Sequence, residues 1–268
     1  MPKPETISSA ANPLLKDVRR AIGRGGLTQE GYLVAETFHL LEEALRSGCA
    51  VKVVLCSESV QAAVESHVKR LNGLRVAVVA DQLFPFISGT EASQGVIALV
   101  QPPVWNLPQL FRGRSLVVVL DGLQDPGNAG TIARAAEAFG ASGIMFLKGT
   151  VSPFNPNALR AAAGSLFRVP FAYGLDSALA RAALQQNKLD VYAGVPSDAR
   201  LPSKPLGEVD FTRRCAIVVG NEARGVSPQL RSAAIDISIP TSGVESLNAA
   251  VAAAILLYEA RRQRSLHA

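Results

Sequence analysis

Residues 235–264 constrain the fold of this chain more than any other stretch. Apolar and small polar residues alternate over 235–239, which predicts a short strand, and Pro240 ends that strand before a polar loop. The helix that follows has no polar residue over 249–257. Such a helix must be covered on nearly every side, but the run is too short to cross a bilayer. We therefore expect this helix to be buried partly within its domain and partly at a subunit interface. The order of strand, polar loop and helix is typical of a ligand site.

Three polar residues, Glu245, Ser246 and Asn248, lie at the mouth of this apolar helix. One interpretation is that Glu245 or Ser246 caps the helix by satisfying its first backbone amides. A cap does not require Asn248 as well, which favours a functional site. The sequence alone leaves both interpretations open.

The composition is that of a globular protein with a polyanionic partner. With 268 residues and 48% hydrophobic content, the chain can form one large or two modest domains. Its net charge of +5 and pI near 9.3 favour nucleic acid over a neutral partner. Three cysteines without a C-x-x-C pair and three scattered histidines predict reduced thiols and no metal site. The polar, proline-containing N-terminus has no secretory pattern, so we expect a cytoplasmic protein with no membrane partner.

The first hundred residues predict a basic arm followed by a small α/β/α sandwich. Residues 1–26 contain a helix whose basic residues share one face, at spacings i, i+3, i+4 and i+8: Lys16, Arg19, Arg20 and Arg24. This face either contacts phosphates or is simply solvated. Helical and strand patterns then alternate over 27–100, and three prolines in 101–114 predict a linker at a domain boundary.

Residues 115–268 predict an α/β domain with a mostly parallel sheet. The apolar run 115–121 is typical of a strand buried on both faces, and about six strands alternate with helices. Ligands of such sheets bind beyond the carboxyl ends of the strands. The loops at 125–130, 220–225 and 240–248 are polar and contain glycine, although each alone could be an ordinary turn or cap. None has the Walker A or G-x-G-x-x-G pattern, which disfavours a Rossmann-type nucleotide enzyme.

Three motifs in these loops carry a resemblance to a known family. They are D-P-x-N-x-G-x-x-x-R at 125–134, G-N-E-x-x-G at 220–225 and I-P-x-x-G-V-E-S-L-N at 239–248. This set resembles the motifs of the SpoU (TrmH-like) RNA 2′-O-ribose methyltransferases. The first domain is similar to that family's substrate-binding domain, which has a fold like ribosomal protein L30e, through 7–16, 33–45 and 93–100.

The resemblance implies a SPOUT fold in which the C-terminal segment forms a trefoil knot. It also implies S-adenosylmethionine, held mainly through backbone at Gly220, Ile239 and Leu247, with Gly194 and Pro196 on the rim. The family works as a homodimer, and the apolar helix over 249–258 is the expected interface.

The resemblance further implies a catalytic set of five residues: Asn128, Arg134, Glu222, Ser246 and Asn248. A guanidinium stays protonated at neutral pH, so we expect Arg134 to orient a phosphate and stabilise the developing alkoxide rather than act as base. Glu222 is the matched carboxylate that can accept the ribose proton, directly or through water. The two asparagines and Ser246 would hold the hydroxyl and the cofactor carboxylate in line.

Further arginines have two possible roles. Arg160 and Arg168 flank a small apolar segment and either contact RNA phosphates or lie on the surface. Arg261, Arg262 and Arg264 are expected to offset the dipole of the last helix. Thr37 and Ala162 depart from the family pattern, in which glycine and serine are usual, and this bears on substrate fit.

The expected function is methyl transfer to a ribose 2′-hydroxyl in RNA, with ribosomal (23S-type) RNA favoured because of the separate N-terminal domain. The alternatives are a tRNA 2′-O-ribose methyltransferase and a catalytically silent RNA-binding assembly factor. The intact set of polar motif residues weighs against the silent factor.

Overall fold

The computed structural model describes residues 5–69, 74–90, 92–196 and 202–266, and it divides into two compact units. The first unit comprises residues 1–104 together with 152–168, and the second comprises 105–151 and 169–268. The first boundary between the units, between Val104 and Trp105, lies within the predicted linker, 101–114. The segment 152–168, which the sequence assigns to the second domain, instead packs within the first unit.

Twelve strands and nine α-helices are formed by the described residues. The strands are β1 Glu5–Ile7, β2 Leu33–Glu36, β3 Val51–Ser57, β4 Arg75–Val79, β5 Val96–Val100, β6 Leu116–Asp121, β7 Gly143–Leu147, β8 Phe171–Leu175, β9 Asp190–Gly194, β10 Lys204–Pro205, β11 Cys215–Gly220 and β12 Ile235–Ser238. The helices are α1 Pro13–Arg24, α2 Phe38–Arg46, α3 Gln61–Val68, α4 Phe84–Ile87, α5 Pro126–Ala138, α6 Pro156–Ala162, α7 Ser177–Gln186, α8 Pro228–Arg231 and α9 Ala249–Ser265.

The first unit is built on a mixed five-stranded sheet in the order β1-β4-β3-β5-β2. Strand β5 is antiparallel to its neighbours β2 and β3, whereas β4 is parallel to both β1 and β3. Residues 5–7, which the sequence places in a basic arm, form the edge strand β1. Helix α1 buries Leu15, Val18 and Ala21 in the core of this unit, on the side away from its four basic residues.

Two ion pairs hold the segment 152–168 in the first unit. Glu36 is buried, and its carboxylate accepts hydrogen bonds from Ser88 Oγ (2.5 Å), Gly89 N (3.1 Å) and Arg160 Nη1 (3.2 Å). Arg168 Nη1 donates to Glu43 Oε2 at 2.6 Å. A buried carboxylate is costly without such partners, so both glutamates need the arginines of this segment.

The second unit has a seven-stranded sheet in the order β10-β12-β9-β11-β6-β7-β8, and every pair in it is parallel. All six residues of β6 are buried, as its unbroken apolar pattern predicts. The mostly parallel sheet inferred from the sequence is confirmed, and the short edge strand β10 is the member that the pattern did not reveal. Strands β12, β9, β11 and β6 are neighbours, so the loops at their carboxyl ends meet.

The last helix, α9, is covered on one side only by its own chain. It packs against α5 and β11 and buries Ala250, Ala253 and Leu257, whereas Val251 and Tyr258 are 49% and 55% exposed. The helix is therefore buried within its domain on one side, and its expected place at a subunit interface stays a prediction. Among the described helices, none has both the length and the apolar character needed to cross a membrane.

Arg264, near the end of α9, is a structural anchor and not a solvated dipole charge. Its guanidinium donates to the carbonyl oxygens of Phe211 (2.8 Å), Arg114 (2.7 Å), Ser115 (3.0 Å) and Arg213 (2.7 Å). Burial lowers its pKa from the usual arginine value. The end of the helix is thereby tied to the segments that precede β6 and β11. The trefoil knot and the L30e likeness stay predictions.

Candidate active site

The carboxyl ends of β9, β11 and β12 open into a cavity of about 570 Å³. The five residues expected to hold the cofactor all line it: Gly194, Pro196, Gly220, Ile239 and Leu247. Glu222, Ser246 and Asn248 line it too, together with Arg224 and Glu245. Ala252, Ala253 and Leu256 of α9 form an apolar wall. Three segments distant in sequence therefore meet at one cleft.

The motif at 220–225 forms a tight turn on the rim of this cavity. Asn221 and Gly225 exchange two backbone hydrogen bonds, of 3.0 and 2.8 Å, and Gly225 has a φ of 69°. A Cβ atom on Gly220 would lie 2.3 Å from the carbonyl carbon of Gly225. Gly220 is required because of this close backbone approach, whereas Gly225 is favoured by its positive φ. The turn projects Glu222 into the cleft.

Glu222, Asn128 and Asn248 form a single line of hydrogen bonds. Asn248 Nδ2 donates to Asn128 Oδ1 at 3.0 Å, and Asn128 Nδ2 donates to Glu222 Oε1 at 3.2 Å. Asn248 Oδ1 accepts the backbone amides of Ala250 (2.9 Å) and Val251 (3.2 Å). Since the cap occupies the Asn248 oxygen, the orientation of both amides follows, and the line ends on an acceptor carboxylate.

The two helix caps next to the cavity are therefore part of the site. Asp125 caps α5 by accepting the amide of Asn128 at 2.6 Å, which fixes the start of the helix that carries Asn128. Asn248 caps α9, so the interpretation in which Glu245 or Ser246 caps this helix is wrong. Those two residues line the cavity instead.

Arg134 lies apart from this line. It is on the exposed side of α5, six residues after Asn128, which corresponds to about 9 Å along the helix axis. It is not among the residues that line the cavity, and its side chain forms no hydrogen bond or ion pair with another described residue. Its guanidinium is therefore available to an external group, and its catalytic role stays a prediction.

Residues 115–258 match the model of the SpoU rRNA Methylase family. The chain belongs to this family. A second model, the MRM3-like substrate binding domain, matches residues 12–98. The resemblance inferred from the three motifs is thus confirmed, and in this SpoU chain the second and third motifs line the cavity, while Asn128 of the first is hydrogen-bonded to Glu222 and Asn248.

Several relatives of this SpoU chain are named for their reactions or ligands. The 23S rRNA (guanosine(2553)-2′-O)-methyltransferase RlmP of Bacillus subtilis is 32% identical over 95% of this chain and 98% of its own length. The AdoMet-bound rRNA methyltransferase of Sinorhizobium meliloti superposes with a TM-score of 0.82 at 28% identity, covering 96% of this chain and 97% of that one. The SpoU methyltransferase AviRb of Streptomyces viridochromogenes, in complex with AdoMet, gives 0.83 at 25% identity over 95% and 100%.

The arginines and the lysine expected to bind RNA fall into two groups in this SpoU chain. Four basic side chains are exposed on one face of α1: Lys16, Arg19, Arg20 and Arg24. Arg160 and Arg168 are instead paired with Glu36 and Glu43, so they have an internal structural role that the sequence did not reveal. For Glu43, burial opposes ionisation, but the hydrogen bond and charge of Arg168 outweigh it and lower the pKa of the carboxyl.

Sequence reasoning missed two residues near these surfaces. Arg224 lines the cavity beside Glu222, and the variable positions of the G-N-E-x-x-G motif offered no signal for it. Phe86 is exposed on α4, although the pattern F-P-F-I does not distinguish it from its buried neighbour Phe84. The surrounding structure, not the residue type, determines which of these side chains is accessible.

Proposed function

We propose that this chain transfers a methyl group from S-adenosylmethionine to a ribose 2′-hydroxyl in RNA, with ribosomal RNA of the 23S type as substrate. The observation that carries the proposal is the line Glu222, Asn128, Asn248, which ends on a carboxylate at the cavity. The names of the relatives, which include 23S rRNA 2′-O-methyltransferases, favour ribosomal RNA over tRNA.

The cavity fits S-adenosylmethionine in size and chemistry. Its volume lies within the range of about 300–1,000 Å³ usual for small-molecule sites. Gly194, Gly220 and Leu247 would offer backbone groups to the polar parts of the cofactor, while Ile239 and Leu256 would cover its apolar parts. The bound cofactor supplies a methyl group made electrophilic by a sulfonium.

Glu222 is the proposed proton acceptor. Its carboxylate would accept the proton of the 2′-hydroxyl, directly or through water, when the ribose oxygen takes the methyl group. Asn128 orients the carboxylate of Glu222, and the side-chain amide of Asn248 orients that of Asn128. The side chain of Asn248 is itself held in place because it caps helix α9. Ser246 would hold the hydroxyl in line. Arg134, exposed on α5, would bind the neighbouring phosphate and stabilise negative charge on the ribose oxygen.

We also propose that the chain acts as a homodimer through α9. Val251 and Tyr258 are seven residues apart, so they share one face of the helix, and both are exposed in the single chain. Ala253 of the same helix is fully buried, so Ala253→Glu would perturb the core and would not test the interface. Cytoplasmic location stays a prediction.

The proposal is tested by the transfer of tritium from labelled S-adenosylmethionine to 23S rRNA and tRNA transcripts. Glu222→Gln should lower the rate by about 10²–10⁴, because the shape is kept but the proton acceptor is lost. Glu245→Gln is the matched control, since Glu245 lines the same cavity outside the hydrogen-bonded line. Equal rates for both variants would contradict the role of Glu222.

Further variants and substrates separate the alternatives. Arg134→Ala should also lower transfer, without loss of cofactor binding. An absence of transfer to any RNA by a wild-type protein that binds RNA would favour the silent assembly factor. Faster transfer to tRNA than to 23S rRNA would favour the tRNA enzyme.

A further inference from the structure

An exposed aromatic ring lies beside the basic face of the first unit. Helix α4 packs against α1, and the guanidinium carbon of Arg19 lies 5.9 Å from the centre of the Phe86 ring. Phe86 is 55% exposed, whereas Phe84, two residues earlier in the same short helix, is 3% exposed and belongs to the core. Packing therefore accounts for Phe84 but leaves about half of the surface of Phe86 in solvent.

The charge around this ring is positive. Lys16, Arg20 and Arg24 are exposed on the face of α1 that also carries Arg19, opposite the buried residues of that helix. Asp17 is the one acidic residue of α1, and its carboxylate accepts the backbone amide of Gln29 at 2.9 Å. The carboxylate of Asp17 therefore binds the loop that contains Gln29, and the four basic side chains of α1 face solvent.

Aromatic rings and cations together favour one kind of partner. A phosphate backbone is attracted by lysine and arginine, and an exposed ring offers a flat surface on which a base can stack. A guanidinium at the ring adds a second flat, cationic surface. In a duplex the bases are already stacked and paired, so only an unpaired base can reach such a ring.

We propose that Phe86 and Arg19 form a stacking platform for an unpaired base of the RNA substrate. Lys16, Arg20 and Arg24 bind the phosphates that flank this base. This inference rests on the proposed function, which identifies the RNA as the substrate. It goes further because it requires an unpaired nucleotide in the RNA element that is recognised. Phe86 is a substrate-positioning residue and takes no part in the chemistry of methyl transfer.

The test compares the dissociation constants of short single-stranded and fully paired RNA by fluorescence anisotropy over a series of salt concentrations. Phe86→Ala and Phe86→Leu should both weaken single-strand binding about tenfold, because leucine keeps apolar area but has no flat π surface. Their salt dependence should match wild type. Lys16→Ala should instead reduce the slope of log K against log salt by about 0.7.

Leu179→Ala is the matched control, since Leu179 is 57% exposed on α7 of the second unit. It should bind both RNAs as wild type does, and thermal unfolding should verify that all variants are folded. A short single-stranded RNA that carries 2-aminopurine should lose fluorescence when it binds the wild type, because the probe base stacks on Phe86. It should not lose fluorescence when it binds Phe86→Leu.

Three results would overturn the platform: wild-type affinity in Phe86→Leu, equal loss of single-strand and duplex binding in Phe86→Ala, or unchanged 2-aminopurine fluorescence on binding wild type. These outcomes are distinguishable from failure of the proposed function, since binding is measured without cofactor. If the wild type transfers the methyl group and Phe86→Leu binds RNA normally, the stacking platform is refuted and the proposed function stands.

Discussion

Replacement of Arg264 by methionine should destabilise the second unit, although the residue is the last but one of α9. The guanidinium is the donor for four carbonyl oxygens, and methionine keeps only the apolar stem. The carbonyls of Phe211 and Ser115 are partly buried, whereas those of Arg114 and Arg213 are exposed and can bind water instead. The Ser115 carbonyl keeps the backbone amide of Cys215 as a donor at 3.0 Å, so the loss comes mainly from the Phe211 carbonyl.

The magnitude follows from the Phe211 carbonyl. A buried acceptor left without a donor costs about 1–3 kcal/mol, so Arg264→Met should lower the free energy of unfolding by about 1–3 kcal/mol. With a urea m-value of about 2 kcal/mol/M, the midpoint should fall by about 0.5–1.5 M. The single tryptophan, Trp105, belongs to the second unit, and its fluorescence can report this transition.

Arg262→Met is the control for this experiment. Arg262 lies on the same helix, its side chain is half exposed, and among the described residues its partner is Glu259, at 2.7 Å. It should unfold at the wild-type midpoint, because exposed pairs of this spacing add little stability. If Arg264→Met and Arg262→Met unfold at the same urea concentration, the anchoring role assigned to Arg264 is wrong.

Three other predictions concern charge, backbone strain and assembly. Arg168 holds the pKa of Glu43 below its usual value, so this pair stabilises the fold fully above about pH 4.5 and stabilises it less as the pH falls through the lowered pKa. In acid unfolding, Arg168→Met should therefore make the stability less dependent on pH in this range. An unchanged pH profile would contradict this prediction. Thr37 has a φ of 125°, a strained conformation for a residue with a side chain. Thr37→Gly relieves this strain but loses the cap that Thr37 Oγ1 gives to the amide of Leu40, so the net free energy of unfolding should rise by about 1 kcal/mol. A decrease would show that the cap outweighs the strain. Tyr258→Glu should convert dimers to monomers in sedimentation, and persistent dimers would exclude this face of α9.

Local sequence patterns determined the elements of the fold. Unbroken apolar runs such as 116–121 can be satisfied only by strands covered on both faces, which requires parallel pairing with helices outside. The three polar loops were found because ligands of parallel sheets bind at strand ends. These inferences need only neighbouring residues, since periodicity reports which side of an element is apolar.

Tertiary structure alone decided what each exposed or polar side chain meets. Asn128 and Asn248 are 120 residues apart in sequence, and only folding shows that one amide orients the other. The sequence could not distinguish Arg264, anchored on four carbonyls, from Arg262, or the buried Phe84 from the exposed Phe86. It also placed 152–168 in the second domain, although Glu36 and Glu43 draw that segment into the first. The physical reason is that hydrogen-bond partners and solvent exposure depend on which distant element covers a side chain, and local patterns carry no record of that choice.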